Sequence, residues 1–173
     1  MPISGTVREL MTPLADFPHV YADQPLRDVF ALLSNRYEIE RFRTVLVFDR
    51  AERPVGRLTL HRLLQAVLPD YLTGAPAHYE GGGGDPESLA LLWQEDSEES
   101  CRKAATQKVG EHMLPIAPAL SPDAPLTLAL YRLAKADYNL IPVAEGGRTI
   151  GVVRIVDLLG EVAAAVLGEG GAA

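Results

Sequence analysis

Apolar residues recur at helical spacing in two separate stretches of the chain, at Leu26, Val29, Phe30 and Leu33 and again at Leu126, Ala129, Leu130 and Leu133. Each set predicts an amphipathic helix with one face buried. Pro25 and Pro125 stand where these helices should begin, because a fixed φ and a missing N–H suit the first turn. After each helix comes a β-branched and aliphatic run, residues 44–48 and 140–144, and then a polar turn at 49–53 and 145–148. A second short strand, 55–60 or 149–155, closes a hairpin, and a leucine- or alanine-rich helix follows near 61–68 and 155–167. With short extended segments at 17–21 and 117–120 in front, both stretches read β-α-β-β-α.

The two stretches are copies of one unit. Val7-Arg-Glu-Leu-Met-Thr-Pro13 matches Val109-Gly-Glu-His-Met-Leu-Pro115, and Asp23-Gln-Pro-Leu26 matches Asp123-Ala-Pro-Leu126. Further on, Gly56-Arg-Leu-Thr-Leu-His-Arg-Leu-Leu64 matches Gly151-Val-Val-Arg-Ile-Val-Asp-Leu-Leu159. A period of about 100 residues is too long for a solenoid repeat and fits a duplicated domain. The expected organisation is a first domain with its lead-in at 1–72, a linker at 73–108, a second domain at 109–167 and a flexible tail at 168–173. Within the linker, Gly81-Gly-Gly-Gly84 reads as a hinge, since no Lys-Ser or Lys-Thr follows and no strand feeds it as a phosphate loop requires. Asp85, Pro86 and Glu87 then read as a helix start, with Leu89, Leu92 and Trp93 on one face. That face either packs back onto the domains or offers a partner a docking surface anchored by Trp93.

Composition narrows the function. The 173 residues are 47% hydrophobic, enough to fill a core, and the formal net charge is -7. A phosphate-backbone binder would work against that field, so nucleic acid is a poor partner. Residues 1–70 are balanced at nine basic and nine acidic side chains, which makes the first third the better place for an anion. The single cysteine, Cys101, allows no internal disulfide, and no basic and apolar leader precedes the first element, so the expected compartment is the cytoplasm. The apolar stretches fall short of the ~20 residues a membrane-spanning helix needs.

The ordered set of V-x-E-x-M-x-P lead-in, D-x-P-L helix start, Ile141-Pro142-Val143 strand and glycine-containing third strand, occurring twice, resembles the cystathionine-β-synthase (CBS) domain family over residues 7–72 and 109–167. The resemblance implies an α/β (α+β) fold in which two β-α-β-β-α CBS domains pack as a pseudo-two-fold module, here with a helical linker between them. It implies a regulatory module, commonly a homodimer, that binds AMP, ADP, ATP or S-adenosylmethionine between its domains and controls a separate transporter, channel or enzyme.

Nucleotide-binding members carry Gly-x-x-Thr/Ser-x-x-Asp, in which a hydroxyl at the helix start suits a phosphate and a carboxylate one turn later accepts the ribose hydroxyls. Here the pattern is split. The first copy keeps Thr59 and has Arg62 in place of the acid; the second has Arg154 in place of the hydroxyl and keeps Asp157 after Gly151. By family position, adenine would lie near Ala119, Tyr138, Ile141 and Pro142. Six of these residues also have a plainer reading. Thr59 suits an N-cap, Asp157 complements the helix dipole, Arg62 and Arg154 suit exposed positions, and Tyr138 and Ile141 suit ordinary core. The broken motifs therefore leave a second function open, a CBS-pair interaction or dimerisation protein whose sites bind no nucleotide. The histidines lack zinc spacing, Cys101 has no activating partner, and no catalytic motif occurs, so neither a metal site nor an enzyme is expected.

Overall fold

The computed structural model describes residues 3–73 and 86–168, so the tetraglycine, Asp85 and most of the predicted tail lie outside the described residues. The chain begins with helix α1 (Val7–Leu10) and strand β1 (Thr12–Pro13). The first copy then runs β2 (His19–Tyr21), α2 (Leu26–Leu32), α3 (Arg36–Phe42), β3 (Thr44–Phe48), β4 (Pro54–Thr59) and α4 (Leu60–Val67). Among the described residues, α5 (Asp70–Thr73), α6 (Pro86–Leu92) and α7 (Ser97–Thr106) follow. The second copy contributes α8 (Leu126–Lys135), β5 (Leu140–Glu145), β6 (Arg148–Arg154) and α9 (Ile155–Leu167). The fold is thus mixed α/β with two small sheets, ordered β2-β3-β4 and β1-β6-β5. In the second copy the leading strand shrinks to one parallel bridge, Leu120 to Val143, where the first copy has β2 parallel to β3.

Each lead-in belongs to the other copy's fold. β1 lies antiparallel to β6, with Thr12 opposite Val152 and Pro13 opposite Gly151. The counterpart is a reciprocal bridge in which Arg57 N donates to Leu114 O at 2.9 Å and Leu114 N to Arg57 O at 2.7 Å. The two prolines turn out to be N-caps of α2 and α8, one place earlier than a first-turn proline. The next N–H of each helix is satisfied across the copies: Leu26 N donates to Gln107 O at 2.8 Å and Leu126 N to Gly5 O at 3.1 Å. Val7 is fully buried in the core built by Leu126, Ile141 and Val153, and Val109 in that built by Leu26, Val45 and Leu58. The matched glycines follow from this exchange. A Cβ at Gly151 would stand 2.5 Å from Thr12 O, and one at Gly56 would stand 2.7 Å from Met113 Sδ and 2.9 Å from Leu114 O.

β3 is buried along its whole length because it has a core on both faces, which is why its sequence is a continuous apolar run. Val45 and Val47 point into the first copy's own core. Leu46 and Phe48 point the other way and meet Phe17, Leu140 and Val152 in a third cluster that joins the copies. The linker returns to the body, since α7 packs on α2 and α4 and buries Ala104. Trp93 Nε1 donates to Ser100 Oγ at 2.9 Å, whereas Leu91 and Leu92 remain exposed.

Candidate functional site

The strands β3 and β5 start side by side across the joint between copies, and a pocket of about 440 Å³ opens there. Glu40, Arg41, Phe42, Arg43 and Thr44 line it from the first copy, and Asn139, Leu140, Arg154, Ile155 and Val156 from the second. That size is within the range of small-molecule sites. The pocket exists because Thr44 is held opposite Thr59 in one sheet and Leu140 opposite Arg154 in the other, so both strand starts and the head of α9 face one space.

Arg154 is the N-cap residue of α9, and Asp157 sits in that helix's first turn. The guanidinium grips the carboxylate at both oxygens, Nε to Oδ2 at 2.8 Å and Nη2 to Oδ1 at 2.9 Å, with each side chain 20% exposed. Its remaining nitrogen, Nη1, donates to Arg41 O at 3.3 Å and so spans the two copies. A carboxylate has about four lone-pair positions, so a bidentate arginine fixes Asp157 and leaves acceptor capacity for two hydroxyls.

The first copy's half-motif is separate. Thr59 caps α4, its Oγ1 accepting Arg62 N at 3.3 Å. Arg62 donates from Nε to His112 O at 2.9 Å and from Nη1 to Gln65 Oε1 at 3.1 Å, and lines a second pocket with Asp70, Gln107, Glu111 and His112. Burial pushes the His112 imidazole below its ordinary value, with Glu111 opposing and Arg62 adding to the shift. Of the remaining predicted residues, Ile141 is fully buried core, Pro142 is buried with its carbonyl accepting Leu120 N, and Ala119 is exposed. Gly151 makes room for Thr12 O, as described above. Tyr138 is half-buried under a residue the motif reading did not single out, Arg57, whose Cζ lies 5.4 Å from the ring centroid. Arg57 is 8% exposed and donates to Pro115 O at 3.1 Å and Asp137 O at 2.9 Å, joining the copies without a carboxylate. A charged residue between Gly56 and Leu58, in a strand buried on both faces, is the signal that could have found it.

Among the described residues no group of His, Cys, Asp and Glu could hold a metal ion, and no helix is long and apolar enough to cross a membrane.

The chain belongs to the CBS domain family, which matches residues 7–69 and 109–164. No curated relative matches it in sequence. Among solved structures, a CBS domain-containing protein of unknown function from Kribbella flavida superposes with a TM-score of 0.70 at 19% identity, covering 92% of this chain and 98% of that one. The Arabidopsis thaliana CBS-pair protein CBSX2, solved in complex with AMP, gives 0.61 at 20% identity over 96% and 99%. The CBS domain of a bacterial CNNM/CorC family Mg2+ transporter, solved in complex with ATP, gives 0.61 at 19% identity over 91% and 87%. At these identities the likeness concerns the fold, a tandem CBS module.

Proposed function

We propose that the chain is a regulatory CBS module that binds an adenosine nucleotide at the joint between its copies and passes the binding event to a separate effector. The observation that carries this is the Arg154–Asp157 pair, a fixed carboxylate with spare acceptor capacity at the head of α9, beside a 440 Å³ pocket between the copies. In this reading Asp157 accepts the ribose hydroxyls, Arg154 holds it in position, and adenine lies toward Tyr138. Binding favours one arrangement of the two copies over another by the difference in affinity for each. Two structural relatives, one solved in complex with AMP and one with ATP, support the ligand class. The working form is a cytoplasmic homodimer joined through apolar helix faces that include Leu64 and Leu159, exposed at 68% and 57%; sedimentation at the mass of two chains supports this and at one chain rejects it.

Thermal melts with AMP, ADP, ATP and S-adenosylmethionine test the reading. A ligand at 100 times its dissociation constant adds about 2.7 kcal/mol of stability. Asp157→Ala should remove most of that gain and Thr59→Ala much less. No shift with any of the four rejects nucleotide sensing, and equal losses in the two variants reject the choice of site.

A further inference from the structure

The pocket is asymmetric, and one insertion makes it so. Between its helix and strand the second copy runs directly from Lys135 to Leu140, whereas the first copy inserts α3. The end of α3 brings Arg41 and Arg43 to the pocket wall. Neither guanidinium has a carboxylate partner among the described residues. Arg41 lies over the Phe42 ring with Cζ 4.7 Å from the centroid. Arg43 has φ 56, a left-handed conformation rare for a side chain of its size, and such strain marks functional positions when the surroundings enforce it. The enforcement is visible: Arg43 N donates to Ile39 O at 3.1 Å, and its carbonyl accepts Leu60 N, the first residue of α4, at 3.3 Å.

The rest of the lining suits an anion too. Glu40, the acidic residue of the wall, is already neutralised by Arg36 at 2.6 Å. Thr44 is 2% exposed and lines the pocket. In a chain of net charge -7, two unpaired guanidinia beside one already satisfied by Asp157 are a local excess of positive charge. One phosphate needs only one bidentate arginine. Two free ones match a longer anion.

We propose that the pocket selects nucleoside di- and triphosphates over the monophosphate, with Arg41 and Arg43 as the specificity residues that hold the phosphates beyond the first. This rests on the reading that the joint takes an adenosine nucleotide at Asp157. S-adenosylmethionine, which has no phosphate, gains nothing from these arginines.

Calorimetric titration of the full chain with AMP, ADP, ATP and S-adenosylmethionine tests it, alongside a variant carrying Arg41→Ala and Arg43→Gly. Glycine at 43 keeps the left-handed backbone without strain, so an unchanged melting temperature of the free variant certifies its fold. Wild type should bind ADP and ATP at least tenfold more tightly than AMP. The variant should lose at least tenfold for ATP and stay within twofold for AMP. Equal affinity for AMP and ATP in wild type, or equal losses for both in the variant, overturns the selectivity and leaves the nucleotide reading standing. Binding of none of the four overturns the nucleotide reading and the selectivity with it.

Discussion

Asp157 and Arg154 are three residues apart on the first turn of a helix, where their side chains meet because a helical repeat brings such positions together. The sequence offered Asp157 a ribose role or a plain place complementing the helix dipole, and Arg154 a phosphate-site role or an exposed position, and it could not show that they grip each other. Spacing along the chain does not report rotamers. Thr59 caps α4, while Tyr138 shares its face with Arg57, whose importance depends on a neighbour some 80 residues away. At this scale His112 gives a testable pH dependence. Its folded value is depressed, chiefly by burial, so the unfolded chain binds the proton more readily and the neutral form stabilises the fold. That contribution is present above the unfolded value of about 6.5 and is lost as pH falls toward the folded value. Melting temperatures between pH 7.5 and 5 should therefore fall more steeply for wild type than for His112→Gln; parallel profiles would remove the residue from the account.

At the scale of elements, the helix–strand–strand–helix order of each copy was legible because its periodicities switch cleanly between helical and alternating spacing. The leading strand of the second copy was overestimated, since one bridge at Leu120 replaces the predicted segment. The stretch before β3, a few residues longer than its counterpart before β5, holds a helix of its own, started where Asn35 Oδ1 accepts Glu38 N at 3.0 Å. The two glycines that the copies share were legible as matched, but their reason was not. Gly151 faces the backbone of β1, which cannot yield, so Gly151→Ala should cost about 1–3 kcal/mol by overpacking. Gly160, inside α9 with open space where its Cβ would stand, should behave oppositely, and Gly160→Ala should add about 0.5–1 kcal/mol through helix propensity. Urea unfolding of the two variants measures both; a neutral Gly151→Ala would mean that the lead-in strand does not lie where described.

For the whole molecule, matching blocks established that there are two copies but not how they are tied. Aligning copy to copy fixes equivalence, and equivalence is the same whether each lead-in stays with its own domain or crosses to the other. Crossing makes the copies interdependent, because Val7 completes one core and Val109 the other. Val7→Ala and Val109→Ala each remove two buried methyl groups, about 2 kcal/mol. Both should lower one shared unfolding transition in calorimetry, and two transitions moving independently would contradict the exchange. The same interdependence gives the module its proposed use: a nucleoside di- or triphosphate at the joint would touch both copies at once, through Asp157 on one and Arg41 and Arg43 on the other.

A crystal structure of the protein with bound ATP tests that claim most directly. The account predicts the ribose hydroxyls within hydrogen-bond reach of Asp157 and the phosphates among Arg41, Arg43 and Arg154. A nucleotide seated instead against Thr59 and Arg62, or anywhere outside the joint between the copies, would contradict it.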